Sequence, residues 1–163
     1  MMTPELRGLV AGRLDEAARE VFLYGACEAL AIAVHDRTGW PLVKLTDAWN
    51  VQAGDGSFSP DGMAGRSQAE RAVIGVANDG SALHWLVLGP DGRLVDVDGA
   101  HDRFRLFVEY DTLAHDAGQE AALGTATRDE AIEEHERKGS RVSLETAASF
   151  VDAVLALNDW GEI

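Results

Sequence analysis

The sequence predicts an α+β fold: two N-terminal helices packed on a small antiparallel sheet and closed by C-terminal helices. Three observations predict it. Apolar residues recur at helical spacing early in the chain, between recognisable start and stop residues. Short apolar runs separated by Asn-Asp-Gly and Pro-Asp-Gly fill the middle. Two capped helical patterns fill the last third. At 163 residues the chain is expected to form one domain, 1–163, with its own core, and it has no internal repeats.

The elements follow in order. Thr3-Pro4-Glu5 joins a capping hydroxyl, a proline suited to a first helical position and an acid near the dipole, so a helix is expected from there to about Val21. A break at Tyr24-Gly25 precedes a second helix, on which Cys27, Leu30, Ala31 and Val34 share a stripe. Thr38-Gly39-Trp40-Pro41 stops it, since glycine ends helices and proline cannot continue them. Pro41-Leu42-Val43-Lys44-Leu45 reads as a strand entering the core.

Residues 49–68 are rich in Gly, Ser, Asp and Pro, which predicts a long loop serving as a mobile lid or rim beside a site. Residues 71–76 read as a strand. Asn78-Asp79-Gly80 turns into a strand carrying His84, and Pro90-Asp91-Gly92 turns into one ending at Asp98. The stretch 71–98 therefore reads as a three-stranded antiparallel meander. Residues 104–124 fit a strand or a helix. Thr127 caps a charged helix over 128–138 that Gly139 ends. Ser143 caps a final helix burying Leu144, Ala147, Ala148, Val151, Val154 and Leu155.

The formal net charge of −14 excludes nucleic acid and anionic membranes as main partners, because both would repel it. The acidity fits solubility or a basic partner surface. No apolar run is long enough to span a bilayer and the N-terminus lacks a secretory pattern, so a cytoplasmic location is expected.

Cys27 is the only cysteine and begins a helical pattern. Helix starts favour the thiolate form of a cysteine. His84 and Asp98 follow on successive strands. Nucleophile, base and orienting carboxylate in that order is the logic of an activated thiol. A lone cysteine is also a good small core residue, and a strand histidine a good half-buried one. Asp96 faces the same side of its strand as Asp98 and is the reserve for the third role. His101 belongs either at the site's edge or in a solvated loop. Asp55, Ser57, Ser59 and Asp61 lack the spacing of a calcium loop, so no metal and no cofactor are expected.

Gly25-Ala26-Cys27, the apolar helix after it, Gly39-Trp40-Pro41-Leu42, His84-Trp85 opening a strand and Asp91-Gly92 seven residues ahead of Asp98 together resemble the transglutaminase-like branch of papain-like thiol enzymes. The resemblance spans residues 24–99 and implies a papain/transglutaminase-like fold. It implies a thiol-dependent acyl-transfer enzyme, whether peptidase, deamidase or acyltransferase, acting on a protein or peptide. Cys27 would be the nucleophile, His84 the base and Asp98 its orienter. Tyr24 would be a second oxyanion donor beside the Cys27 amide, with Trp49 and Trp85 walling the cleft. The alternative is a non-enzymatic acidic binding or inhibitor protein, on a degenerate version of the fold, that covers a basic protein surface.

Overall fold

Helices begin where the chain supplies a side-chain acceptor for orphan amides. Asp15 accepts from the Ala18 amide and starts α1 (Glu16–Tyr24). The second helix, α2 (Cys27–Thr38), follows Ala26, which offers no such group, and Glu28 accepts from the Ala29 amide instead. Ser67 and Glu70 form a reciprocal capping box on the short α3 (Gln68–Arg71). Asp102 caps α4 (Arg103–Asp116), Thr127 caps α5 (Arg128–Lys138) and Ser143 caps α6 (Leu144–Ala148). The last described helix is α7 (Val151–Ala156). The structure, a computed structural model, describes residues 9–54, 59–78, 82–139 and 142–157, apart from the Tyr24 side chain.

Seven strands form one sheet: β1 (Leu42–Asp47), β2 (Val51–Gln52), β3 (Gly75–Ala77), β4 (Ala82–Leu88), β5 (Leu94–Asp96), β6 (Gly99–His101) and β7 (Ala121–Ala126). Their order is β2-β3-β7-β1-β4-β5-β6. All neighbours are antiparallel except β3 and β7. The sequence-predicted α+β class is therefore observed, on a larger and mixed sheet.

Alternation along the strands divides the core. Leu42, Trp85, Val87 and Val95 pack with α1, α2 and α5–α7 on one face. Val43, Leu45, Leu86, Leu94 and Leu123 pack with α4 on the other. Phe22 of α1 meets Phe150 edge-on, ring centroids 5.1 Å apart, which joins the first helix to the C-terminal ones.

Several sequence expectations are corrected here. The described part of the N-terminal segment becomes helical only at Glu16, and Thr3-Pro4-Glu5 lies outside the described residues. Residues 71–98 are not a meander: β3 pairs with β2 and β7, not β4. Of the expected hairpin turn Asn78-Asp79-Gly80, Asp79 and Gly80 lie outside the described residues. The ambiguous stretch 104–124 contains both α4 and β7. The final helix is broken into α6 and α7 around Phe150. The described part of residues 49–68 is tied down rather than a free lid. Gln52 bonds Ser59 twice, the Met63 amide donates to the Ala48 carbonyl, and Met63 is buried.

Candidate functional site

The β4–β5 ladder pairs Leu88 with Leu94 and Val87 with Val95, then stops. Continued in register, it would bring position 98 opposite position 84, as the spacing around Asp91-Gly92 suggests. The chain instead reverses at once. Asp96 pairs with Gly99 across a tight turn, leaving Val97 and Asp98 at its tip. Gly99 has φ 98, a left-handed conformation that glycine accommodates. Asp96 is thereby the last strand carboxylate beside His84.

Asp96 is nearly buried and is the hub of the cluster. Its Oδ2 lies 3.0 Å from His84 Nε2, and its Oδ1 lies 2.7 Å from His101 Nε2. The Asp98 amide donates to the same Oδ1 at 2.9 Å. The His84 ring is fully buried and stacks on Tyr110 of α4, centroids 5.0 Å apart and 12° from parallel. The other ring nitrogen, Nδ1, is buried without a nitrogen or oxygen partner.

The charges follow from these contacts. Burial opposes a cation on His84, but the hydrogen bond and charge of Asp96, with the nearby Cys27 assisting, outweigh it and push its pKa up to about 9. Burial likewise opposes a charged Asp96, yet His101 and then His84 hold its carboxyl well below the usual carboxylate range. The bond to Asp96 raises His101, burial and the charge of His84 opposing, and the charges of Asp96 and Asp98 assisting. At neutral pH the hub is a buried carboxylate facing an imidazolium.

A second buried network fixes the helix that carries Cys27. Glu28 is fully buried and receives His135 Nδ1 at 3.0 Å and Lys138 Nζ at 2.9 Å from α5. Glu134, also buried, accepts from Trp85 Nε1 and from the Ala82 amide at 3.0 Å. Burial opposes the Lys138 cation, but the Glu28 hydrogen bond and the charges of Cys27, Glu28 and Glu134 raise its pKa. Sequence reasoning missed Glu28, Glu134 and Tyr110. Glu134 reads as part of a charged, solvated helix face and Glu28 carries no signal, because only tertiary packing of α5 on α2 and β4 buries them.

Of the residues expected at the site, Cys27, His84 and Asp96 come together, and His101 joins them. Asp98 does not. Its carboxylate takes Arg19 of α1 at 2.5 and 3.3 Å, in a partly exposed pair, and the carboxylate that bonds His84 is that of Asp96. Trp85 is buried and lines a cavity with Phe22, Cys27, Leu30, Val95 and Asp96, with room for about one water-sized molecule. Trp49 stands 59% exposed in the 3-10 turn Ala48–Asn50 after β1 and is not among the residues lining that cavity. Tyr24 ends α1, and the expected oxyanion role of its side chain lies outside the described residues. No group of three or more metal-ligating side chains is found among the described residues.

Fold and cluster together define an α+β protein with a buried Asp–His cluster. Its sequence is similar to a segment of phosphoglucosamine mutases. It is 36% identical over 77 residues to the one from Pelotomaculum thermopropionicum, covering 45% of this chain and 17% of that protein. It is 35% identical over 78 residues to the one from Anaeromyxobacter sp., covering 46% and 17%. With the one from Burkholderia multivorans it shares 27% over 113 residues, covering 68% and 24%. The chain thus spans about a quarter or less of the length of the curated relatives it matches. No family model and no solved structure matches it.

These matches overturn the resemblance to transglutaminase-like and papain-like thiol enzymes, and with it the expected cysteine-dependent acyl transfer. Short motifs around a cysteine and a histidine carried that expectation, and such motifs recur by chance on apolar helices and strands. The alternative of an acidic binding or inhibitor protein gains no support from them either. Among the described residues, no helix is long and apolar enough to cross a membrane.

Proposed function

We propose that this chain forms a proton-transferring domain for a small phosphorylated amino sugar, of the class named by the phosphoglucosamine mutases it matches in part. The observation that supports an acid–base role is Asp96 held between His84 and His101. A buried carboxylate that fixes an imidazole also fixes its tautomer and its charge. Of the two histidines, His101 is the one able to meet a ligand, because its side chain is 29% exposed while that of His84 is fully buried. His101 is the acid–base group, Asp96 its positioning partner, and His84 the cation that keeps Asp96 ionised.

The ligand class rests on the partial similarity to the mutases. The matched segment is a small part of those proteins, so the reading is of a binding and proton-transfer domain and not of a complete mutase. The net charge of −14 requires local cations at any phosphate, and binding should weaken with salt.

Titration of the isotopically labelled chain with glucosamine phosphate, followed by NMR of the histidine rings, tests the reading. Saturable shifts of His101 at submillimolar to millimolar ligand, lost in His101→Gln, are expected. An unchanged His101 spectrum up to tens of millimolar would sink it.

A further inference from the structure

His84 sits on β4 opposite Leu45, and its ring enters the face of the sheet that α4 covers. Buried polar atoms ordinarily find partners, and a buried imidazole has two nitrogens to satisfy. Here one edge alone is bonded: Nε2 lies 3.0 Å from Asp96 Oδ2, and Nδ1 has no hydrogen-bond partner. One bond at one edge does not fix the plane of the ring, because the χ2 torsion of histidine is broad. The face supplies the second constraint. Tyr110 stacks on it, with centroids 5.0 Å apart and planes 12° from parallel.

The helix that carries Tyr110 is tied to the same cluster at its other end. α4 begins at its cap Asp102, the residue after His101. Leu106 and Phe107 bury its inner face among Leu45, Leu86 and Leu94, and Tyr110 packs against the same core at helical spacing from both. The contacts therefore close a ring: His101 to Asp96, Asp96 to His84, His84 to Tyr110, and Tyr110 through about two turns of helix back to His101.

We propose that Tyr110 is a positioning residue for the acid–base pair, its ring clamping His84 against Asp96 and so governing how Asp96 is shared with His101. This rests on the reading of His101 as the acid–base group. The face of a phenol ring is the negative part of its quadrupole, so the stack also favours the charged imidazolium. Burial opposes that charge; Asp96 of β5 and Cys27 of α2 support it, and His101 of β6 shares Asp96 with it and is repelled by it.

Without the stack, His84 loses its hold on Asp96 and its positive charge. Asp96 then serves His101 alone, and the repulsion that opposes a charged His101 disappears. The two histidines therefore move in opposite directions. General loosening of the core would instead relax both downward toward the ordinary value of 6.5.

Histidine NMR titration of the ligand-free chain, in Tyr110→Leu and Tyr110→Phe, tests this. In Tyr110→Leu the His84 midpoint should fall by about one pH unit or more from its value of about 9, while that of His101 rises. Unchanged midpoints, or two that fall together, overturn the proposal. Tyr110→Phe keeps the ring, and both midpoints should match the wild type; a fall in His84 there would overturn the stacking role by giving it to the hydroxyl. Should Tyr110→Leu not fold, the wild-type spectrum decides. Nuclear Overhauser contacts between the two rings and upfield ring-current shifts on His84 are expected, and their absence overturns the clamp. No sugar ligand enters these measurements, so a failed glucosamine phosphate titration leaves their outcome untouched.

Discussion

The two oxygens of Asp96 serve different histidines: Oδ2 lies 3.0 Å from His84 Nε2 and Oδ1 lies 2.7 Å from His101 Nε2. One buried carboxylate therefore sets the charge of both rings. Asp96→Asn removes that charge while keeping the shape. Burial then dominates His84, and its pKa should fall from about 9 to below the ordinary histidine value of 6.5. Asp98→Asn should leave His84 titrating as in the wild type, because Asp98 is engaged with Arg19. Histidine NMR across pH 4–10 distinguishes the two, and equal shifts in both variants would contradict the assignment.

Stability should depend on pH through the same cluster. The folded pKa of His84 is raised above its unfolded value near 6.5, so its contribution is fully present below pH 6.5 and is lost as pH rises through about 9. Asp96 is shifted the opposite way. Its contribution is present above about pH 4 and lost as pH falls. The cluster is thus most stabilising from about pH 4 to 6.5. Urea unfolding should show a loss of about 3 kcal/mol between pH 6 and pH 9.5, with the two shifts describing one shared interaction and not adding. His84→Gln should flatten that slope.

Arg71 and Asp111 form a buried pair that ties α3 to α4 and β7. Arg71 Nη1 lies 2.6 Å from Asp111 Oδ1 and 2.8 Å from the Ala121 carbonyl, and the Ala121 amide donates to Asp111. Asp111→Ala leaves a buried guanidinium uncompensated and should cost about 3–5 kcal/mol in denaturant unfolding. Arg71→Met combined with Asp111→Leu should recover much of it. A double variant as unstable as the single one would show that the charges themselves, not their pairing, hold the junction.

Arg19 and Asp98 are the contrast. Their side chains are 52% and 30% exposed, so solvent screens the pair. Arg19→Ala should change stability by about 1 kcal/mol or less. A loss of several kcal/mol would mean that Asp98 acts through more than a surface ion pair.

Gly124 tests the sheet. A Cβ there would come within 2.6 Å of the Ala77 amide nitrogen, where β3 runs beside β7. That neighbour is backbone and cannot swing aside. Gly124→Ala should cost about 1–3 kcal/mol, read as a shifted urea midpoint at unchanged m-value. An unaffected midpoint would mean that β3 is not held against β7 in solution.

The sequence by itself determined what local chemistry determines. Thr127 and Ser143 mark helix starts, Gly39 and Gly139 mark stops with φ 78 and 61, and the short run Pro41-Leu42-Val43-Lys44-Leu45 marks a strand entering the core. Cys27 and His84 could be singled out as a pair for the same reason, since each sits at a recognisable point of its element. Their function could not, because residue types and spacing are shared by proteins that differ in chemistry. Tertiary structure decided the rest. The register around Asp91-Gly92 could be counted, but not the turn that ends β5 after Asp96 and sends Asp98 to Arg19. β7 escaped notice because Ala121–Ala126 is built from small residues with weak strand preference. It is a strand because β1 and β3 flank it with unpaired backbone groups that it alone satisfies. Glu28 and Glu134 are ordinary helix-surface acids until α5 packs on α2 and β4, and burial then makes each depend on the partners that packing brings.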